Sequence, residues 1–453
     1  MLLSLYIIFA WISTFLGLVN YRFGLWLMLL VTLLGDPVRK LTPDNPVFIS
    51  VCFVPIFCVV YLRFFFMSRS SGAKRIFYYY PQLKVGTLFY LFCVAFAFLN
   101  AFIRNASALP LILYSLAQYL GIIVAAQAGY YFLRRSEDLI SSVKFFIFTE
   151  LIFLVTVVPH FMGLQSQWPV LKTMNFEGAY LQFHSGQPLE MLNGVFRSPE
   201  IMGWNAMMVV IGCIFLIARR RLNLFGTLFF SSTAVFGVFC ILASGRRKFF
   251  LAVFIFILIF LFLIMKKNVK RMLKVLLALL VLFGIGWRYL ESQEKLELYL
   301  RSAKSAYAAT EERLTKNTIG SINWAIQRDG IFGAGLGAST QGGGHFREHI
   351  SEGAGIEAGP GKIFSELGVQ GVLALFVLIL SYLGSIFRVI GRRRFAGNDF
   401  VSAAFLVALA ATHLVSFGAS HQIYGDPFVA IMTGMTFGMV LAMLRILTLK
   451  PQL

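Results

Sequence analysis

Charged side chains are scarce in this chain. Only 13% of its 453 residues are Asp, Glu, Lys or Arg, about half the share found in an ordinary soluble domain. Hydrophobic residues make up 58%, and the 48 phenylalanines are more than a single soluble core of this size buries. The shortage of charge excludes a disordered chain, a collagen-like chain and a plain soluble enzyme. It predicts a polytopic membrane protein.

Cysteine and the common nucleotide-binding motifs are lacking as well. The five cysteines lie singly in apolar runs without a CxxC pair, which favours buried membrane thiols over a disulfide framework or an Fe–S site. There is no GxxxxGK[ST] and no Asp-x-Asp pair. An ATP-driven pump and a metal-dependent nucleotide-sugar glycosyltransferase therefore have no support. We predict no metal and no cofactor.

Long apolar runs are what the chain does have. A helix needs about 20 apolar residues to cross the hydrocarbon of a bilayer, and we find thirteen candidates. The spans are approximately 1–18, 22–36, 46–66, 86–103, 109–132, 143–163, 200–218, 223–243, 249–265, 272–290, 363–387, 400–417 and 427–446. The first is interpreted as a retained helix rather than a cleaved signal peptide. The prediction is an all-α fold of about 12–14 transmembrane helices.

The domain organisation follows from these spans. We predict N-terminal transmembrane helices in 1–163, a first long extracytoplasmic loop in 164–199 and central transmembrane helices in 200–290. A second long extracytoplasmic loop in 291–362 and C-terminal transmembrane helices in 363–453 complete the chain. The second loop begins with a polar stretch that favours amphipathic helices and ends in a glycine-dense segment.

Acidic residues are outnumbered two to one, with 20 Asp and Glu against 40 Lys and Arg and a net charge of +20. The basic residues cluster in every second connection, which is the positive-inside pattern of cytoplasmic loops. These clusters are Arg69, Lys74 and Arg75; Arg134 and Arg135; Arg219 to Arg221; Lys266, Lys267, Lys270 and Arg271; and Arg392 to Arg394. The excess charge thus indicates topology and no nucleic-acid partner.

One short connection breaks the alternation. Residues 244–248 read SGRRK in a turn that the pattern places outside the cytoplasm. One interpretation is that the number of predicted spans before this turn is wrong by one, which would place the turn in the cytoplasm. The favoured interpretation is an anion site, in which the guanidinium forks of Arg246 and Arg247 bind a diphosphate.

Other polar residues share the predicted outer face. Pro199 suits the first turn of the seventh span, next to Arg197 and Glu200. The remaining candidates in these loops and span ends are Arg328, His345, His349, Glu352, Glu357, Glu366, His421, Tyr424 and Asp426, with Lys248 beside the two arginines. His345 and His349 have the i, i+4 spacing of helical metal ligands, but the surrounding glycines argue against that reading.

Three segments resemble the O-antigen ligase and O-antigen polymerase family of bacterial envelope proteins. They are GVFRSPEIMGWNA at 194–206, ILASGRRKFFLAV at 241–253, and the stretch from Arg328 through DGIFGAGLG to IFSELGVQGVLALF at 363–376. The last is similar to the family pattern that pairs LFGVGLG with ELGlxG entering a span. The resemblance covers roughly residues 190–380.

The resemblance implies a glycan polymerase or ligase at the outer face of the bacterial inner membrane. Such proteins transfer a glycan from undecaprenyl diphosphate to an acceptor hydroxyl without a metal. Arg246 or Arg247 would contact the diphosphate, assisted by Arg197 or Arg328, with Glu200, Lys248, Glu366 and His421 in support. The implied partners are the lipid-linked glycan, membrane lipid and a chain-length regulator or other polysaccharide-assembly proteins.

The implied general base departs from the family pattern. Many members carry a histidine nine residues before the glutamate of ELG, and counting back from Glu366 reaches Glu357. Burial would raise the pKa of such a carboxyl toward neutrality and suit it as a base. His345 or His349 is the alternative. The choice between ligase and polymerase stays open, as do a lipid-linked oligosaccharide flippase and a non-catalytic scaffold.

Overall fold

A computed structural model describes most of the chain. The described residues are 1–70, 76–104, 106–172, 181–184, 187–219, 222–265, 319–340, 358–392 and 397–449. The predicted span 272–290 and the predicted site residues His345, His349 and Glu357 lie outside them.

The described residues are almost entirely helical. The helices are α1 (Leu2–Val19), α2 (Tyr21–Leu41), α3 (Val54–Ser70), α4 (Ile76–Tyr79), α5 (Pro81–Arg104), α6 (Leu109–Phe132), α7 (Ser136–Leu154), α8 (Val157–Phe161), α9 (Pro199–Ala218), α10 (Leu224–Ala243), α11 (Lys248–Met265), α12 (Gly320–Asp329), α13 (Gly359–Arg392), α14 (Asn398–Ala419) and α15 (Pro427–Leu449). Two short antiparallel strands, β1 (Leu181–His184) and β2 (Gln187–Glu190), form a hairpin between α8 and α9.

Twelve stretches of the described residues are long and apolar enough to cross a membrane. They coincide with twelve of the thirteen predicted spans, so the prediction of a helical, multi-pass membrane protein is confirmed. Large apolar side chains also remain exposed along these helices, such as Phe92 at 68% and Val235 at 72%. Such a surface suits contact with lipid tails rather than water. The small hairpin was not predicted.

The chain divides into two compact units. Unit 1 comprises Met1–Arg63, Ser136–Ala309 and Phe400–Thr412. Within it, α9 packs against α7, α10 and α11, and Trp204 of α9 is only 1% exposed. Glycine allows the close approach of α11, because a Cβ at Gly203 would lie 2.6 Å from Phe249 Cδ2. The most enclosed helix of unit 1 thus starts directly after Arg197.

Unit 2 comprises Phe64–Arg135, Thr310–Asp399 and His413–Leu453. Its α6 packs along α15, and its α5 packs along α13. α13 is not continuous, because Gly368 has the left-handed torsions φ 69° and ψ −171° and interrupts the helix. The nine residues before this break, 359–367, carry Glu366, one of the predicted site residues of unit 2.

Candidate functional site

Four helix ends meet at one end of unit 1. The backbone N–H of Leu192, in the segment before α9, donates to the carbonyl of Ala243 at the end of α10, with 3.0 Å between N and O. Lys40 near the end of α2 donates from Nζ to the carbonyl of Gly194 at 2.7 Å. Since α11 begins at Lys248, these bonds gather the ends of α2 and α10 and the starts of α9 and α11 in one place.

Arg197 is fixed in this cluster by a buried carboxylate. Its backbone N–H and its Nη1 both donate to Asp36, at 3.2 and 3.0 Å. The next residue, Ser198, caps α9 by accepting from the N–H of Ile201, and Pro199 is the first helical residue, as predicted. The cap and the ion pair together determine how the arginine is presented at the start of α9.

The SGRRK turn completes the basic cluster. Gly245 takes a positive φ of 64°, which lets the chain leave α10 and enter α11 across the four residues 244–247. Lys248 forms an ion pair with Glu200 of α9, and Arg247 is half-buried beside it. Arg246 Nε is buried and has no hydrogen-bond partner among the residues that the structure describes. A guanidinium N–H without a partner can donate a hydrogen bond to an anion that is not part of the chain.

Five of the predicted site residues are therefore neighbours in unit 1. Arg197 and Glu200 lie at the start of α9. Glu200 forms an ion pair with Lys248, which directly follows Arg246 and Arg247 in the chain. We name this group the unit 1 basic cluster. It is the only assembly of predicted diphosphate contacts within the described part of unit 1.

His160 and Glu190, which were not among the predicted site residues, lie close to the segment that leads to Arg197. His160 is 2% exposed, and its Nδ1 accepts the backbone N–H groups of Gly194 at 3.1 Å and Asn193 at 3.5 Å. Its Nε2 lies 3.9 Å from Oε1 of Glu190. The imidazole N–H of His160 lowers the pKa of Glu190, more than burial raises it. The carboxylate, 47% exposed, is thus ionised near neutral pH.

Unit 2 holds a buried carboxylate, Glu366, at the end of the helical segment before the break in α13. The hydroxyls of Tyr119 and Ser115 donate to its Oε2 at 2.6 and 3.3 Å. The hydroxyl of Thr340 and the backbone N–H of Ser339 donate to its Oε1 at 2.6 and 3.2 Å. Glu366 is 0% exposed. Four donors are enough to satisfy a buried carboxylate, so the geometry favours a structural role.

The glycine-rich segment after α12 binds directly to the break in α13. The N–H of Ala334 donates to the carbonyl of Ser365 at 2.8 Å, and the N–H of Val369 donates to the carbonyl of Ile331 at 2.9 Å. A Cβ on Gly368 would lie 2.5 Å from the carbonyl carbon of Phe332. The two motifs that carry much of the family resemblance, GIFGAGLG and SELG, thus interlock through their backbones.

Arg328 is the fourth predicted diphosphate contact and lies in unit 2. Its Nε and Nη2 donate to the two carboxylate oxygens of Asp329, both at 2.7 Å. Nη2 also reaches Ser365 Oγ at 3.0 Å, and the guanidinium stacks 4.1 Å from the ring centroid of Trp324. These contacts already occupy the guanidinium, so its role toward a diphosphate stays a prediction.

Lys362 and His421 are two further buried polar residues of unit 2. Lys362, 6% exposed, donates from Nζ to Gln118 Oε1 at 3.1 Å, and Gln118 Nε2 donates to the carbonyl of Gly425 at 2.8 Å. His421 is also buried and starts the turn that ends at Gly425. Lys362 was not predicted, because a lysine after a glycine-proline run reads as an ordinary loop residue.

Glu150 is the least expected buried charge. It lies within the span Ser136–Phe161 and is 0% exposed. Neither of its carboxylate oxygens has a hydrogen-bond partner among the described residues. Its only sequence signal is the isolated carboxylate in the apolar run FFIFTELIFL, and it was not among the predicted site residues.

The described residues contain no group of three or more His, Cys, Asp and Glu side chains placed to hold a metal ion. No protein-family model matches the chain, and neither does any curated protein.

Proposed function

We propose that this protein is a membrane glycan polymerase or ligase that takes a glycan from an undecaprenyl-diphosphate carrier. In this proposal the unit 1 basic cluster binds the diphosphate at the outer face of the bacterial inner membrane. The observation that carries it is the buried Arg246 Nε without a partner among the described residues. It lies beside Arg247 and Lys248 at the mouth of apolar spans.

The chemistry of the leaving group fits this cluster. Negative charge builds on the diphosphate as its bond to the sugar breaks, and fixed guanidinium groups stabilise that charge. Arg197 and Lys248 are each held by a carboxylate, Asp36 and Glu200. The carboxylates orient these two cations and leave Arg246 as the residue whose hydrogen-bonding capacity is most open. The exposed apolar helices offer a surface to the lipid tail.

The acceptor hydroxyl needs a base, and the sequence predicts Glu357, His345 or His349 for that role. The acceptor is a second repeat unit in a polymerase or another surface glycolipid in a ligase. The assembly proteins and the chain-length regulator that the resemblance implies remain predicted partners.

The first test is binding of undecaprenyl diphosphate to the purified full-length protein in lipid nanodiscs. We expect Arg246→Ala to weaken binding roughly tenfold to a hundredfold, since a hydrogen bond to a charged group contributes about 1.5–3 kcal/mol. The matched control is Arg22→Ala, because Arg22 pairs with Asp138 at the opposite end of α2. Equal binding by wild type and Arg246→Ala would remove the cluster from the donor site.

A second candidate function is a transporter for the lipid-linked glycan. The buried Glu150 favours it, because ionisable groups inside a span are costly and mark transport pathways. The same protein in liposomes separates the two functions. Movement of a labelled lipid-linked glycan across the bilayer without formation of a glycosidic bond would identify the transporter instead.

A further inference from the structure

Two buried side chains of unit 1 have oxygens without hydrogen-bond partners among the described residues. Glu150 of α7 is 0% exposed, and both of its carboxylate oxygens are in this state. Asn205 of α9 is 2% exposed, and its amide oxygen Oδ1 is in the same state. Buried polar atoms are nearly always hydrogen-bonded in folded proteins, so three such oxygens in one unit require an explanation.

The two helices that carry these residues lie side by side and run in opposite directions. Just after α7, the hydroxyl oxygen of Thr156 accepts the backbone N–H of Val195, just before α9, at 3.1 Å. In the other half of the helices, Val143 Cγ1 of α7 lies 3.1 Å from the place that a Cβ on Gly212 of α9 would occupy. These two contacts lie on either side of the unpartnered oxygens in both helices.

The helical repeat brings Glu150 and Asn205 face to face. Glu150 is seven residues after Val143, and Asn205 is seven residues before Gly212. Seven residues make nearly two turns, so both steps keep the direction of the side chain. Because the helices are antiparallel, both steps also lead about 10.5 Å toward the same end of the unit. The contact at Gly212 is therefore repeated, one heptad further on, by Glu150 and Asn205.

The charges around Glu150 do not compensate a carboxylate. α7 packs against α2, α9 and α10, and α10 has no charged residue. The only charged residue of α9 is Glu200, which is paired with Lys248. On α2, the charge that acts on Glu150 is that of Asp36, which is also negative. The cations of α2 donate to other groups, and they are Arg22, Arg39 and Lys40.

We propose that Glu150 and Asn205 form a proton-binding site. Glu150 holds the proton as a neutral carboxylic acid and donates its O–H to Oδ1 of Asn205. One hydrogen then satisfies an oxygen on each helix and removes a buried charge that no cation offsets. A proton needs only these two oxygens, whereas a metal cation would need several more oxygen ligands.

The proton also determines the charge next to the proposed donor site. Asp36, which acts on Glu150, is the carboxylate that binds Arg197. A neutral Glu150 adds no negative charge beside that pair. An ionised Glu150 would add one and would oppose an anionic ligand at Arg197. The proton site goes beyond the proposed function and does not depend on it.

Infrared spectroscopy tests the proton directly, because a protonated carboxyl has a C=O stretch that an ionised one lacks. The sample is the purified full-length protein in lipid nanodiscs at neutral pH. We expect a band in wild type that is lost in Glu150→Gln. Asn205→Leu should keep the band and shift it to higher frequency, because the O–H then has no acceptor. The control is Glu137→Gln, which changes an exposed carboxylate at the start of α7 and should leave the band as it is.

Two results would overturn the proposal outright: a wild type without the band, or a band that persists in Glu150→Gln. If Glu150→Gln does not fold, the Asn205→Leu variant decides, and an unshifted band there contradicts the pairing. A wild type that lacks the band and unfolds at a higher temperature in sodium chloride than in choline chloride would hold a metal cation in place of the proton. None of these results depends on binding of undecaprenyl diphosphate, so the proposed function is tested separately.

Discussion

Arg246 and Glu366 show two different outcomes for a charge placed in a largely apolar protein. Burying a charge is costly unless hydrogen bonds replace its water. Glu366 receives four donors from side chains and backbone, whereas Arg246 Nε has no partner among the described residues. The first arrangement stabilises a local structure. The second leaves binding capacity for a ligand, which is why we place the chemistry at Arg246.

Removing the charge of Glu366 is expected to destabilise unit 2. In Glu366→Gln, one end of the side chain becomes a donor and meets the N–H of Ser339 and hydroxyls that now donate to it. We expect a loss of about 1–3 kcal/mol. Tyr119→Phe, which removes one 2.6 Å hydrogen bond, should cost about 1 kcal/mol.

Thermal unfolding of the detergent-solubilised protein measures both effects on Glu366 and Tyr119. Ser107→Ala, outside this cradle, serves as the reference substitution. An unfolding temperature for Glu366→Gln equal to that of wild type would show that the carboxylate is not part of what stabilises the unit.

The helices were predictable and their irregularities were not. Each span is a run of about 20 apolar residues, a signal that does not depend on tertiary contacts. The break at Gly368 depends on backbone torsions and on bonds to a segment more than 30 residues away, which hydropathy does not report. The basic cluster was found because SGRRK violates a charge pattern. His160 violates no pattern, since its partners appear only in three dimensions. Glu150 does interrupt an apolar run, but its lack of partners among the described residues appears only in the structure.

The contact between α6 and α15 depends on glycine. A Cβ at Gly438 would collide with the carbonyl oxygen of Ala126, whereas a Cβ at Gly121 of α6 meets nothing within 4 Å. Gly438→Ala should therefore destabilise the protein by about 1–3 kcal/mol through overpacking. The identical change at Gly121 should be neutral or slightly stabilising, because alanine favours a helix over glycine.

Denaturant or thermal unfolding in one detergent compares the two variants of α6 and α15 directly. If Gly121→Ala and Gly438→Ala unfold at the same temperature or denaturant concentration, the close approach of α15 to α6 at Gly438 is contradicted.

At the scale of the whole molecule, the order of the spans and the distribution of basic residues predict which connections face each side of the membrane. Connections with clusters of basic residues alternate with connections in which, apart from SGRRK, such clusters are missing, and the membrane insertion machinery retains the former in the cytoplasm. The loop that carries Arg197 and the SGRRK turn fall on the outer side of this alternation, although SGRRK is itself rich in arginine. Arg197 and Arg246 should therefore be reached from outside the cell.

Cysteine labelling tests this sidedness. In a background without the five native cysteines, Ser166→Cys is expected to react with a membrane-impermeant maleimide added to intact spheroplasts. Glu137→Cys, next to Arg134 and Arg135, should react only after the membrane is opened. Both positions are exposed in the structure. The reverse pattern would put SGRRK in the cytoplasm and exclude an outward-facing donor site.

The interlock at Gly368 has a consequence for biosynthesis. The break in α13 leaves the carbonyl of Ser365 without a helical donor, and the N–H of Ala334 supplies one. Residues 331–340 leave the ribosome before 359–392, and so does α5, whose Ala97 carbonyl and Asn100 side chain bind the same segment. When α13 emerges from the ribosome, the segment 331–340 that binds its break has already been synthesised. α13 is thus released into the membrane after the segment that binds its break has been synthesised. The carbonyl of Ser365 can therefore be paired as soon as it enters the hydrocarbon.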